Sequence, residues 1–327
     1  MKKVLISILM VFVLITSACS NETVNNDESS NTGKNQENVS QEQTNDDEKE
    51  SEGNESQTIT YESENGPIEV PADPQRIIVL NSFLSGSVMK FDQDIVGVES
   101  WTMENKLYDD YIKDAELVSD ENLEKIIELE PDLIVAAPTN NNLDKLSEIA
   151  PTVTFTYGKV DYLTQIIEIG KMLNKEQEAQ EWIDNFKARA QEAGEKVKQK
   201  IGADATISVV ESYNKQIYVF GDNWGRGTEI LYQEMKLKMP EKVKEMALEA
   251  GYYAISPEVL SEYMGDYVIF STNSEAENSF QETETYKNIP AVKNNRVFPV
   301  DVNIFSFNDP ITLDYQLDFF IENLLGN

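Results

Sequence analysis

A single helical stripe near the middle of the 327-residue chain limits its fold more than any other feature. Ala179, Trp182, Ile183, Phe186, Ala190, Ala193, Val197 and Ile201 recur at steps of three and four, the apolar face of one helix. Asn174 is placed to cap its start and Gly202 to stop it. At 1.5 Å per residue such a helix is roughly 39 Å long, enough to run along two folded bodies. On either side, short β-rich runs alternate with helix-compatible segments. The pattern predicts strands over 76–80, 94–98, 132–136 and 152–157 before the helix, and over 205–210, 216–220, 267–271 and 296–300 after it. The expected architecture is α/β: one lobe over 58–173, the joining helix over 174–202, and a second lobe over 203–327. One rigid helical connection predicts a small rotation between lobes, not a wide closure.

The two lobes echo each other. Glu124-Lys-Ile-Ile-Glu128 leads through Pro131 into Asp132-Leu-Ile-Val, and Glu258-Val-Leu-Ser-Glu262 leads through Gly265 into Asp266-Tyr-Val-Ile, 134 residues later. Two similar lobes facing each other leave a cleft between them, which is where ligands usually bind.

Composition removes whole classes of chemistry. There is no histidine, so Ser-His-Asp and Cys-His catalysis and His-ligated zinc or haem are excluded. Cys19 is the one cysteine, which rules out an intramolecular disulfide and a cysteine-built metal or iron–sulfur site. The balance of 27 basic and 59 acidic residues, 27 − 59 = −32, argues against nucleic acid as a partner.

The N-terminus resembles a bacterial lipoprotein leader. Lys2 and Lys3 precede an apolar run, Val4 to Ile15, that is short for a bilayer span, and Ser17 and Ala18 stand directly before Cys19. The resemblance implies a signal peptide over 1–18 and a lipidated Cys19, with ordinary secretion as the plainer alternative. Residues 20–57 hold eleven acidic residues against Lys34 and Lys49 and contain no aromatic. Such a stretch buries too little apolar surface to offset its ordering entropy, so 19–57 is read as a disordered acidic tether.

The most unusual local sequence is Tyr218-Val-Phe-Gly-Asp-Asn-Trp224-Gly-Arg226-Gly227. A strand ends at Phe220, and a glycine-rich loop then presents one Trp and one Arg before a helix starting near Thr228. Neither G-x-G-x-x-G nor G-x-x-x-x-G-K-[ST] occurs, so the loop is not a nucleotide motif. It reads either as a ligand site or as a loop whose Trp packs on the lobe while its Arg pairs with a carboxylate. Tyr213 and Tyr218 beside it, and Phe305 and Phe307 before Asn308-Asp309-Pro310, carry the same two readings.

The run from Phe220 to Met239 resembles the iron(III)-hydroxamate siderophore-binding lipoproteins of Gram-positive bacteria. These are substrate-binding proteins of ABC importers with the helix-linked, class III periplasmic-binding-protein fold. Ala150-Pro-Thr-Val-Thr-Phe-Thr-Tyr157, Asn308-Asp-Pro-Ile-Thr-Leu-Asp314 and the Glu-x₃-Glu-x₃-Asp unit in each lobe are similar to the same family, over residues 66–320. The resemblance implies a pocket lined by Tyr157, Tyr213, Tyr218, Trp224 and Arg226, with Phe305 and Phe307 nearby. It also implies that Glu124 and Glu258 form salt bridges with arginines of the two permease subunits. The expected protein is no enzyme and has no intrinsic cofactor. It is expected as a monomer, anchored by lipid on the extracellular face of the cell membrane and carrying a ferrioxamine- or ferrichrome-type complex.

The chemistry is consistent with that cargo. A hydroxamate siderophore already supplies six oxygens to Fe³⁺, so the protein owes the metal no ligand and must grip a bulky complex from outside. Arg226 is the one strong candidate for a forked, charge-assisted donor, which favours neutral or cationic complexes over catecholates. Cobalamin or a catecholate in the same fold, and an extracytoplasmic carboxylate-dependent hydrolase, are the alternatives.

Overall fold

Parallel strands covered by helices on both faces must be apolar on both faces, and the central strands of this chain are. A computed structural model describes residues 57–326 apart from positions 92, 214, 274 and 275. The leader, the lipidation at Cys19 and all of the tether expected over 19–57 but its last residue lie outside the described residues.

A hairpin comes first, β1 (Thr58–Ser63) paired antiparallel with β2 (Gly66–Pro71). The first sheet follows: β3 (Ile77–Val79), β4 (Ile95–Val98), β5 (Glu116–Leu117), β6 (Leu133–Ala136) and β7 (Thr152–Thr154). Its order is β5-β4-β3-β6-β7, with every pairing parallel. All residues of β3 and β6 are buried. The second sheet holds β8 (Ile207–Tyr213), β9 (Gln216–Phe220), β10 (Tyr252–Ile255), β11 (Tyr267–Thr272) and β12 (Val297–Asp301). Its order is β10-β9-β8-β11-β12, parallel through β8, β11 and β12 and antiparallel at β9 and β10.

Between the sheets runs the expected helix, Glu176–Ile201, with Ala179, Ile183, Phe186, Ala190, Ala193 and Val197 buried along one face. Its N-terminal boundary corrects the sequence reading. Asn174 does not cap this helix; Lys175 does, without a side-chain bond. Asn174 instead ends the preceding helix, Tyr162–Met172, in the left-handed region at φ 57°. The Lys175 amide donates to Gly170 (2.6 Å) and the Asn174 amide to Lys171 (3.1 Å), which is a Schellman closure. The close approach needs Gly170, since a Cβ there would lie 2.7 Å from that of Ala179.

The lobes are tied by more than that helix. The C-terminal helix, Pro310–Leu325, packs on the joining helix and on the first-lobe helix Ser82–Lys90. Asp314 accepts from Trp182 (3.0 Å) and Arg189 (2.7 Å). At its start, buried Asp309 caps Ile311 and Thr312 while accepting the Tyr108 hydroxyl at 2.5 Å. The last sixteen helical residues therefore belong by contact to both lobes.

The echo between lobes has a structural cause at its aspartate. Asp132 accepts the amides of Gln75 (2.7 Å) and Arg76 (3.0 Å) just before β3, and Asp266 accepts the amide of Thr206 (2.8 Å) just before β8. Each aspartate pins the strand next to its own. Glu124 and Glu258 are exposed, in the first turns of the short helices Leu123–Glu128 and Pro257–Glu262. Each helix leads into the equivalent strand, β6 or β11.

Candidate functional site between the lobes

Loops at the carboxyl ends of parallel strands are where open α/β sheets place ligands. Here Phe83 follows β3, Trp101 follows β4, Tyr157 follows β7 and Phe307 follows β12. The Trp–Arg loop leaves the antiparallel β9 and folds back to join them, because three consecutive residues take positive φ: Gly225 (67°), Arg226 (56°) and Gly227 (77°). Two of the three must be glycine for contact as well as for backbone. A Cβ on Gly225 would lie 2.4 Å from the Ser306 carbonyl, and one on Gly227 would lie 2.3 Å from the Phe320 ring. The helix expected near Thr228 is present over Glu229–Glu234, in the wide π form closed by the Met235 amide on Ile230 (2.8 Å). Such i→i−5 turns cluster at functional sites.

These segments, with the adjoining ends of β9 and β10, bring six aromatic rings into one seam. Phe83 meets Trp101 at 5.2 Å and Tyr157 at 5.4 Å; Tyr157 meets Trp224 at 5.9 Å; Trp224 meets Tyr252 at 5.2 Å; Tyr252 meets Tyr218 at 6.0 Å. The Tyr157–Trp224 contact crosses from one lobe to the other. Phe307 crosses too, packing on Trp101 (5.0 Å) and Phe83 (5.5 Å). A cavity of about 890 Å³, lined by Tyr157, Tyr162, Asp222, Trp224, Glu229 and Asn308 among others, lies on one side. A second, of about 510 Å³, is bounded by Trp101 and Glu104 of the first lobe and Tyr213 and Asn303 of the second. Both volumes fall in the range of small-molecule sites.

The expected site residues do not all face these cavities. Tyr157, Tyr213 and Trp224 line them, and Tyr218 stands behind Tyr252 in the seam. Phe305 is corrected: it is 2% exposed and packs on Phe319 (5.2 Å) and Phe320, so it belongs to the core under the C-terminal helix. Phe307 is fully buried as well, at the lobe junction. Arg226 lines neither cavity. Its Nε and Nη2 donate to the two oxygens of Glu211 (2.9 and 3.0 Å), its Nη1 to the Trp224 carbonyl (3.1 Å), and its guanidinium lies 4.7 Å from the Phe220 ring centre. The forked face expected to meet a ligand is held by a carboxylate of its own lobe. Two of its five N–H groups stay uncommitted by these bonds.

Four participants escaped the sequence reading. Phe83, Trp101 and Tyr252 looked like any core aromatic, although the strand-end rule points to the first two. Glu211 had a plainer signal: it interrupts Ile207-Ser-Val-Val-Glu-Ser-Tyr213, a strand buried on both faces, and is itself 3% exposed. A carboxylate there requires a cation, and Arg226 is that cation.

Glu229 is a buried carboxylate of another kind. It accepts the Gly225 amide (2.9 Å), the Thr228 hydroxyl (3.0 Å) and the Asn308 amide (3.3 Å), with no Lys or Arg nitrogen within 4 Å among the described residues. Burial pushes its pKa up, and these hydrogen bonds only partly oppose that. The folded state then holds the proton more tightly than the unfolded one. Stability is therefore greatest on the acid side and falls as pH rises through the raised value. Replacing it as Glu229→Gln should flatten that fall and leave the variant at least as stable as wild type at neutral pH. Urea unfolding from pH 4 to 8 measures both slopes. Buried Asp309 has the same sign of shift and is common to both proteins, so subtracting the profiles isolates Glu229. Identical slopes would show that Glu229 is not the group responsible.

Comparison with known proteins agrees with this geometry. The periplasmic binding protein family model matches residues 77–302. The iron(3+)-hydroxamate-binding protein FhuD of Bacillus subtilis is 35% identical over 273 residues, covering 82% of this chain and 86% of that protein. The iron(3+)-hydroxamate-binding protein YxeB of the same organism is 30% identical over 336 residues, covering 99% and 98%. The structure of FhuD2 from Staphylococcus aureus with bound ferrioxamine B superimposes with a TM-score of 0.73 at 32% identity, covering 77% of this chain and 99% of that one. With the two helix-linked α/β lobes, the aromatic cleft and a family match over most of the described residues, this chain belongs to the periplasmic binding protein family.

Proposed function

We propose that this protein captures ferric hydroxamate siderophores in the interlobe cleft and delivers them to an ABC permease for iron import. As a member of its family it is a substrate-binding protein, not an enzyme. The observation that carries the cargo class is the aromatic seam across the lobes. A trihydroxamate complex presents apolar linkers around a metal whose coordination is already full, and ring faces suit that exterior. Tyr157, Tyr213, Tyr218 and Trp224 are the proposed contacts, joined by Phe83, Trp101 and Tyr252, with Arg226 offering its remaining N–H groups.

Titration with ferrioxamine B should quench tryptophan fluorescence saturably at one ligand per protein. Two of the three tryptophans, Trp101 and Trp224, lie in the seam, while Trp182 stacks on Phe186 outside it. Linear, non-saturating quenching would overturn the reading.

Two finer proposals follow from the leader and the echo. Cys19 would carry a lipid anchor that holds the protein on the extracellular face. Glu124 and Glu258 would dock the permease, since two separated, exposed anionic points fix orientation although each pair adds only about 0–1 kcal/mol. The double replacement Glu124→Arg and Glu258→Arg should abolish siderophore-dependent iron uptake by cells while leaving the affinity of the purified protein intact. Normal uptake at wild-type surface levels would remove both residues from docking.

A further inference from the structure

The loop that carries Tyr157 has little support of its own. The β7 ladder ends with the Phe155 amide on Ala136 (3.0 Å), and Gly158 follows at φ 73° with no atom within 4 Å of where a Cβ would be. Tyr157 itself is 48% exposed, yet its ring is one side of the contact between lobes. Beyond one turn bond of its own, the Lys159 amide on the Thr156 carbonyl (3.2 Å), what holds the loop comes from the N-terminal hairpin, which precedes the family match. At the β1–β2 turn, Glu64 accepts the Thr156 amide on one oxygen (3.1 Å) and the Thr156 hydroxyl on the other (2.7 Å). The second oxygen also faces the Lys159 ammonium at 3.3 Å. Asn65 donates to Thr154 at 2.9 Å. The turn thus grips residues on both sides of Tyr157 while touching neither cavity. The hairpin is in turn anchored through Tyr61, whose hydroxyl donates to Glu168 (3.2 Å).

Resting on the cleft reading above, we propose that Glu64 is a positioning residue for ligand binding, fixing the 155–161 loop so that Tyr157 faces Trp224 across the lobes. Both carboxylate oxygens are committed to one loop, and bonds of this charge-assisted kind are the stronger ones. Burial raises the Glu64 pKa, but the Thr156 bonds and Lys159 outweigh it, so the carboxyl sits below its ordinary value and is ionised at neutral pH. A pre-ordered Tyr157 spares the ligand the cost of ordering it, which is how preorganisation raises affinity.

The test is a double-mutant cycle on ferrioxamine B affinity, read by tryptophan fluorescence, with thermal unfolding alongside. Glu64→Ala should weaken binding about three- to tenfold in the wild-type background and by less than twofold when Tyr157→Ala is already present. Glu64→Gln, which keeps an acceptor for the Thr156 amide, should restore part of the affinity. An unchanged affinity in Glu64→Ala, or the same loss with and without Tyr157, overturns the proposal; so does a loss tracked fully by a fall in melting temperature. If neither Tyr157→Ala nor Trp224→Ala alters binding, the cleft reading fails instead. If those two weaken binding and Glu64→Ala does not, only the clamp fails.

Discussion

Glu211→Ala is expected to destabilise the protein by about 3–5 kcal/mol, because it leaves a largely buried guanidinium without its counter-charge. Arg226 has 14% of its side chain exposed, lies over the Phe220 ring and is fixed by a backbone at positive φ, so it has little freedom to swing out and solvate. The Ser271 hydroxyl, which donates to Glu211 at 2.9 Å, loses its acceptor in the same step. At roughly 2–4 °C per kcal/mol for a domain of this size, the melting temperature should fall by about 6–20 °C. Glu211→Gln keeps the shape and one acceptor and should lose less. A loss below about 1 kcal/mol in Glu211→Ala would mean that water reaches the pair and screens it.

Trp224→Ala should instead act mainly on binding, weakening ferric hydroxamate affinity about tenfold or more while leaving the fold largely intact. The Trp224 ring is half-buried, lies over Gly251, where a Cβ would come within 2.6 Å of it, and meets Tyr157 near-perpendicular (80°) and Tyr252 tilted (49°). Loss of that ring removes the central face of the seam and its contact with Tyr157 across the lobes. Arg226→Ala should differ in kind, lowering affinity and stability together, since it also leaves Glu211 buried without its cation. Isothermal titration and thermal unfolding of the two variants separate the roles. Equal, small effects of both on affinity would place the ligand elsewhere.

The position of Glu64 gives the hairpin a purpose beyond covering the sheet. Cargo selection in this cleft would depend on rings from several loops held at fixed spacing, and loops are the parts of a fold least able to hold spacing unaided. The Glu64 clamp on one side and the Glu211–Arg226 pair on the other brace the two loops that meet at Tyr157 and Trp224.

What the chain's sequence determined by itself was everything set by local periodicity. The apolar stripe from Ala179 to Ile201 commits to helix by its period, and short β-branched runs such as Leu133–Ala136 and Tyr267–Thr272, set off by Pro131 and Gly265, commit to strand. Two lobes and a joining helix follow from their order. Local sequence could not choose among residues whose chemistry suits two jobs. Asn174 suits a helix start and a helix end alike, and the packing of Gly170 on Ala179 decided for the end. Arg226 suits a ligand and a carboxylate alike; Glu211, fifteen residues back and buried beside it on β8, takes its forked face and leaves two N–H groups for a ligand. Phe305 and Phe307 are two residues apart, yet one went to the core and one to the lobe junction, because only the placing of the C-terminal helix tells the two positions apart. The seam takes Phe83, Trp101 and Tyr157 from one lobe and Trp224, Tyr252 and Tyr218 from the other, and the contacts that join its halves, Tyr157 on Trp224 and Phe307 on Phe83 and Trp101, are created by the meeting of the lobes, not by any segment of the chain.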